Sequence, residues 1–469
     1  MSNYVSLGIF IAIIVLVWIV DGKKFKKEGF LFYLRRTKWG VDGIHSIGSR
    51  YSSLLKRFGT LGVIFAFGLV GLLYYFKTIG KEKKISRGKC ALITVLYTVF
   101  ASGFIYLLHD MLFASIVKQF DLMFFGGALI YVLEILAFLF GMAGYTMFSL
   151  SYGVVSVFAG STTESSVQLV LPVEVSESSN LPIVSVPLVV WLVSIFIILT
   201  VHELAHAFVS SSVGLKVKSI GYGFFAILPI GFVEPDELKI SKVGSLDRSR
   251  IYSAGAFNNV ISAIIIAVIL ISTVFVSAKV IDNRYGEIYD YNGVGYNVLP
   301  PEDGVELPSS VLPESGVIIG LNGEKIDRFD DFIGVLENVG PDENLSILIN
   351  DTSYDITTVV NPQNSSRGFI GINGFYNSME LKDEFKGSLL VQFIEAEAYI
   401  VYLFSWVVLL SIGIGLVNLL PIRGLDGGKM LEEISITFFG KKIGVKIVSY
   451  VSLFALLVIL FSIFGSYIV

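Results

Sequence analysis

The sequence predicts a polytopic α-helical membrane protein of about eight spans, carrying a membrane-associated β-hairpin and a soluble α+β insert. Three observations predict it. Hydrophobic residues make up 54% of the 469 positions and charged residues only 16%, against about 25% charged in soluble domains; mean hydropathy is +0.74. Apolar stretches of about 20 residues, the length that crosses a bilayer, recur along the chain. Residues 281–385 are different: polar, rich in Gly, Pro, Asn and Asp, with short strand-like runs such as "GVIIGLNGEKI".

Residues 1–150 read as N-terminal membrane segments with basic loops, with spans near 4–20, 59–76, 91–109 and 122–150. The first has neither a basic leader nor a small-residue cleavage site, so it reads as a retained span. The stretch at 122–150 is long enough to hide a kinked or re-entrant piece. Residues 160–182 form an acidic, Ser-rich loop. Residues 183–280 hold two spans, near 185–213 and 251–279, separated by "SIGYGFFAILPIGFV" (Ser219–Val233). That stretch is apolar, aromatic and glycine-rich and reads as a hairpin dipping into the membrane. Residues 390–469 hold the last two spans, near 396–420 and 443–468.

Charge orients the spans. Residues 21–58 carry ten Lys/Arg, and 210–250 and 421–446 are also basic, while 281–387 carry nineteen Asp/Glu against six Lys/Arg. The positive-inside rule puts the basic loops in the cytoplasm and 160–182 and the insert outside. The basic loop at 77–90 conflicts with simple alternation after 21–58. Net charge is −4, which suggests no nucleic-acid partner. A single cysteine, Cys90, excludes an internal disulfide and a cysteine-rich zinc site.

Of four histidines, two share one helical turn inside an apolar span, "FIILTVHELAHAFVSSSV". His202 and His206 are spaced i, i+4, so both imidazoles leave one helix face and can share a metal ion. Glu203 is offset by about 100° and can face a metal-activated water as general base. An ionisable residue near mid-membrane costs about 2.5–3.5 kcal/mol on insertion scales, which argues against three adjacent ones by chance. A catalytic zinc takes three protein ligands, and the third here should be a carboxylate. Asp426, in "GLVNLLPIRGLDGGKM", follows a proline that interrupts an apolar helix. By spacing alone it is equally an Asp-Gly-Gly turn.

"HELAH" on a hydrophobic helix, followed about 210 residues later by "NLLPIRGLDGG", resembles the site-2 protease family of intramembrane zinc metalloproteases. A third landmark, "AGAFNN", matches the family's GPxxN at Gly255 and Asn259, with Ala256 in place of proline. The N-terminal 80 residues and "VQLVLPVEV" are closer to the archaeal and eukaryotic branch. The insert resembles the family's PDZ-like domain. The resemblance implies one Zn²⁺ per chain, ligated by His202, His206 and Asp426, with Glu203 as general base. It implies hydrolysis of a peptide bond in or near a substrate's transmembrane helix, as in regulated intramembrane proteolysis. The implied setting is a multi-pass cell-membrane protein with its zinc nearer the cytoplasm and an extracytoplasmic insert that can take a peptide. Asn259 and Asn418, the other polar residues in spans near the site, are candidates to donate to the oxyanion; interhelical bonding is the alternative. Rival functions are a metal transporter, which has no need of Glu203, and a non-catalytic scaffold for membrane clients.

Overall fold

The structure, a computed structural model, describes residues 15–28, 32–82, 88–99, 101–103, 123–160, 167–172, 182–225, 228–235, 237–298, 307–361 and 364–465, with the isolated positions 12, 86 and 165. The chain divides into two compact units, residues 1–270 with 401–469, and residues 271–400. Among the described residues, six helices are long and apolar enough to cross a membrane. The expected spans at 4–20 and 91–109 lie partly outside the described residues.

The first unit begins with two strands, β1 (Lys26–Glu28) and β2 (Phe32–Thr37), and helix α1 (Val41–Arg50). Long helices follow: α2 (Ser52–Glu82), α3 (Met123–Phe158) and α4 (Leu188–Ser212), with the short parallel pair β3 (Leu169–Leu171) and β4 (Ile183–Ser185) before α4. The hairpin expected at Ser219–Val233 is present as β5 (Val217–Phe225) and β6 (Leu228–Pro235). It is half of a four-stranded antiparallel sheet, β1-β2-β5-β6. Glu234 ties the sheet together, accepting from Ser219 Oγ at 2.7 Å and Arg36 Nε at 2.9 Å. The Ser219 hydroxyl and the Arg36 guanidinium hold its carboxyl below the usual range. Helix α5 (Ser245–Ile288) leads into the second unit; α7 (Leu389–Leu419) and α8 (Asp426–Phe464) complete the helical set.

Three of the long helices are broken at glycine. In α2, Gly68 takes φ 54°, ψ −133°, open only to a residue without a Cβ. The chain doubles back there. A Cβ on Gly71 would lie 2.6 Å from the Val63 carbonyl oxygen, although eight residues of straight helix span about 12 Å. Contacts along α5 agree. Gly59 packs on Arg250 and Gly62 on Ser253, whereas Tyr74, beyond the break, has returned to bond Ser245 at 2.6 Å and Ser249 at 3.0 Å. Gly141 breaks α3 with φ 62°, ψ −156°, and its backbone abuts that of Gly68. Gly440 breaks α8 with φ 77°, ψ 164°. The kink anticipated within 122–150 is therefore present.

The second unit is built on a sheet ordered β11-β10-β8-β7-β14, with β9 paired to β8. Its strands are β7 (Tyr289–Val298), β8 (Ser315–Leu321), β9 (Glu324–Lys325), β10 (Asn344–Ile349), β11 (Thr352–Thr357) and β14 (Ile372–Leu381); β12 (Val359–Asn361) pairs separately with β13 (Asn364–Phe369). Asn322 and Gly323 close β8 to β9 as a two-residue turn with both φ positive, 50° and 82°, the geometry that favours Asn-Gly. Helix α6 (Phe329–Leu336) opens on Asp331, whose Oδ2 accepts from the Arg328 N–H at 2.9 Å. Phe332 is 0% exposed in the core with Tyr296, Ile318 and Leu345. Burial pushes the Tyr296 hydroxyl up to about 12. Phe332→Ala should destabilise this unit by about 3–5 kcal/mol; limited proteolysis of the full chain should then cut first within 289–381.

Candidate metal centre

Helix α4 is apolar along most of its length, and its two histidines lie mid-helix. His202 is about 15 Å of helical rise from the C-terminal Ser212. With i, i+4 spacing the two rings meet edge to face, centroids 4.7 Å apart, and the Nε2 atoms lie 3.1 Å apart.

Asp426 reaches them because the chain turns sharply after α7. A Cβ on Gly427 or Gly428 would strike the carbonyls of Leu419 and Leu420 or of Ile422, so only glycine permits this path. The broken backbone is satisfied internally, as a buried break requires. The Ser452 hydroxyl donates to the Pro421 carbonyl at 2.9 Å and accepts from the Arg423 N–H at 3.0 Å. Asp426 is the first residue of α8, where the helix dipole favours a carboxylate. Its Oδ2 lies 3.3 Å from His202 Nε2 and 3.2 Å from His206 Nε2, while Lys429 Nζ is 3.6 Å from Oδ1.

Helix α5 supplies the floor. A Cβ on Gly255 would land on the Nε2 atoms of both histidines. One turn earlier, the Ile251 carbonyl accepts the Nδ1–H of His206 at 2.7 Å. One turn later, the Asn259 amide lies 3.2 Å from His202 Nδ1. Asn258 donates to the Val201 carbonyl at 3.1 Å and ties the two helices together.

The donor set suits a metal ion. Ligand atoms at about 2.0–2.1 Å around a tetrahedral zinc lie about 3.3–3.4 Å from one another, and the three edges here are 3.1, 3.2 and 3.3 Å. Two imidazoles and a carboxylate, with His202 and Asp426 buried, are a common zinc combination.

Glu203 is not one of the three clustered ligands. It lines a groove of about 450 Å³ with Thr200, Tyr222, Gly231 and Phe232. The groove lies between α4 and residues of β2, β5 and β6, the last an edge strand of the sheet among the described residues. Thus the structure groups His202, His206 and Asp426 as one cluster and sets Glu203 on the adjoining groove. Asn259 is fully buried behind His202. Asn418 is half-buried, and among the described residues its side chain has no hydrogen-bond partner. Sequence reasoning missed Ser452, Asn258 and the β2 residues Arg35 and Thr37 on the groove. Only the Asn-Asn doublet at 258–259 carried a visible signal.

Residues 190–462 match the model of peptidase family M50. The chain belongs to peptidase family M50. M50 proteins are membrane metallopeptidases, and the six apolar helices and the His202–His206–Asp426 cluster agree with that class. The M50 chain is also 27% identical over 247 residues to an uncharacterized protein of Methanocaldococcus jannaschii, a match covering 52% of this chain and 56% of that protein. The chain therefore spans little more than half the length of the curated relative it matches.

Proposed function

We propose that this M50 protein is a zinc-dependent intramembrane endopeptidase acting on the transmembrane helix of a membrane-protein substrate. The observation that carries this is the cluster of His202, His206 and Asp426 on an apolar helix, with Glu203, the residue after the first ligand, lining a groove against the four-stranded sheet. Zinc bound by His202, His206 and Asp426 would supply Lewis acidity, polarising the scissile carbonyl and making water a nucleophile near neutral pH. Glu203 would take the proton from the attacking water and pass it to the leaving amine.

A helical substrate hides its peptide bonds and must unwind before attack, and in lipid each freed backbone group costs several kcal/mol. The outer edge of β6 supplies replacement partners by strand addition, holding an extended segment alongside Glu203. Gly231 faces Thr200, and a Cβ there would lie 3.2 Å from Thr200 Oγ1. Gly231→Val should therefore narrow the groove and lower kcat/KM by about 10²-fold, as for an ångström-scale misplacement, with metal content unchanged.

The reversal of α2 at Gly68 supports a cytoplasmic orientation for the metal end. Both ends of α2 lie together, which supports reading the basic stretches that flank it as one cytoplasmic face despite the conflict with simple alternation. Ser52 at the start of α2 donates to the Ser212 carbonyl at 2.9 Å, which supports the same side for the C-terminal end of α4. By charge, the acidic insert belongs outside. A peptide joining its sheet would find β7 paired on both sides, by β8 and β14; among the described residues the edge strands are β11 and β14, and Phe375 of β14 packs on Phe329 and Phe332 of α6.

The test is cleavage of a purified helical substrate in proteoliposomes. Chelation should abolish cleavage and added zinc should restore it. Cleavage that persists in protein shown to be metal-free would overturn the proposal.

A further inference from the structure

We propose that Asn259 is a positioning residue for the metal: its side-chain oxygen accepts the Nδ1–H of His202 and thereby presents the His202 Nε2 lone pair to the ion. This rests on the metal-site reading above.

An imidazole that ligates through Nε2 must carry its proton on Nδ1, and the group that accepts that proton fixes the tautomer and ring orientation. His206 meets this condition through the Ile251 carbonyl at 2.7 Å. Among the described residues, His202 Nδ1 has no such carbonyl. Its Nδ1 faces the Asn259 amide at 3.2 Å. Asn259 is 0% exposed, and among the described residues its Oδ1 has no hydrogen-bond partner. A half-turn of the carboxamide exchanges oxygen and nitrogen with no other change of shape. Either orientation leaves one end of the amide unpartnered, so the hydrogen bonds around Asn259 do not choose between them. The metal does. With nitrogen toward His202, the ring proton is forced onto Nε2, into the space shared with His206 Nε2 and Asp426 Oδ2, and one ligand is lost. With oxygen toward His202, all three ligand atoms present lone pairs at one point.

The carboxamide is also held in place. The Ser411 hydroxyl donates to the Asn259 backbone carbonyl at 3.0 Å. A Cβ on Gly415 would lie 3.3 Å from Asn259 Cβ, so α7 packs directly over it. Asn259 does not line the groove beside Glu203. These contacts suit a group that orients His202 and not one that meets the substrate.

The experiment measures zinc affinity by chelator competition, and the visible spectrum of the cobalt-substituted protein, for wild type, Asn259→Leu and Asn259→Asp in detergent. Asn259→Leu, similar in size but without an acceptor, should weaken zinc binding about 10–100-fold and alter the cobalt spectrum. Asn259→Asp, which offers only acceptors, should bind zinc at least as tightly as wild type and keep its spectrum. Asn259→Leu binding like wild type would overturn the proposal. So would a loss in Asn259→Asp as large as in Asn259→Leu, since His202 would then be using the amide N–H. If Asn259→Leu does not fold, Asn259→Asp decides alone: wild-type zinc affinity upholds the proposal, and a loss of about 10-fold or more overturns it. Wild type that binds no zinc would overturn the metal-site reading itself, which is distinguishable from either result.

Discussion

Glu203→Gln should lower turnover of a reconstituted helical substrate by about 10²–10⁴-fold while zinc stoichiometry stays at the wild-type value. The two halves of this expectation come from the same geometry. Glu203 follows a ligand directly in sequence, yet on a helix that places it about 100° away, on the groove and outside the cluster of His202, His206 and Asp426. Glutamine keeps the size and the hydrogen-bonding reach of the side chain but is not a base at any working pH. Substrate should still enter, so KM should change little and the loss should fall on kcat. A glutamine variant that cleaves as fast as wild type with its metal in place would exclude Glu203 as the base. A variant that loses its metal would make Glu203 a ligand or a support for one, and the groove would need another reading.

How far these features were legible in the sequence depends on how local each one is. His202, Glu203 and His206 lie in one helical turn, so their spacing carries the geometry directly. Asp426 lies 220 positions beyond His206, and nothing in its own surroundings separates a ligand from a turn. The residues alone left it even between the two, the resemblance favoured the ligand, and the close approach of its Oδ2 to both Nε2 atoms now gives a physical reason. The reversal at Gly68 was invisible because hydropathy runs smoothly through 59–76. A glycine inside a helix costs only about 1 kcal/mol relative to alanine, so a single one reads as tolerated. What turns the chain is the paired break at Gly141, a tertiary contact with no local signature. Strand β2 was likewise read as part of a basic flank. Its identity comes from pairing with β5, with Arg35 opposite Tyr222 and Arg36 opposite Gly221, and a partner nearly 190 residues away leaves no periodic trace in a six-residue segment. The hairpin β5–β6 was legible because its two strands are adjacent in sequence.

Gly255→Ala should abolish stoichiometric metal binding. In an isolated helix the exchange stabilises by about 1 kcal/mol, so α5 itself has no reason to unfold. The cost arises entirely from where the methyl group goes. A Cβ at this position falls on the Nε2 atoms of both histidines at once, the place where their lone pairs must converge on an ion. The methyl group and the ion therefore compete for one volume. Relief would require α5 to move away from α4, and that motion is opposed on either side of Gly255 by the Ile251 carbonyl bond to His206 and the Asn258 amide bond to Val201. Zinc content, measured on protein that still elutes as a folded species, should fall from one per chain to near zero, and peptidase activity should be lost with it. Gly62→Ala serves as the matched control. It also adds a methyl group at a tight contact between membrane helices, but against Ser253 Oγ and Phe257 Cβ at 2.8 and 3.1 Å, not against a ligand atom or Asn259. It should retain its zinc. If Gly255→Ala binds zinc as wild type does, the ligand atoms cannot converge where this geometry puts them, and the site must be drawn differently.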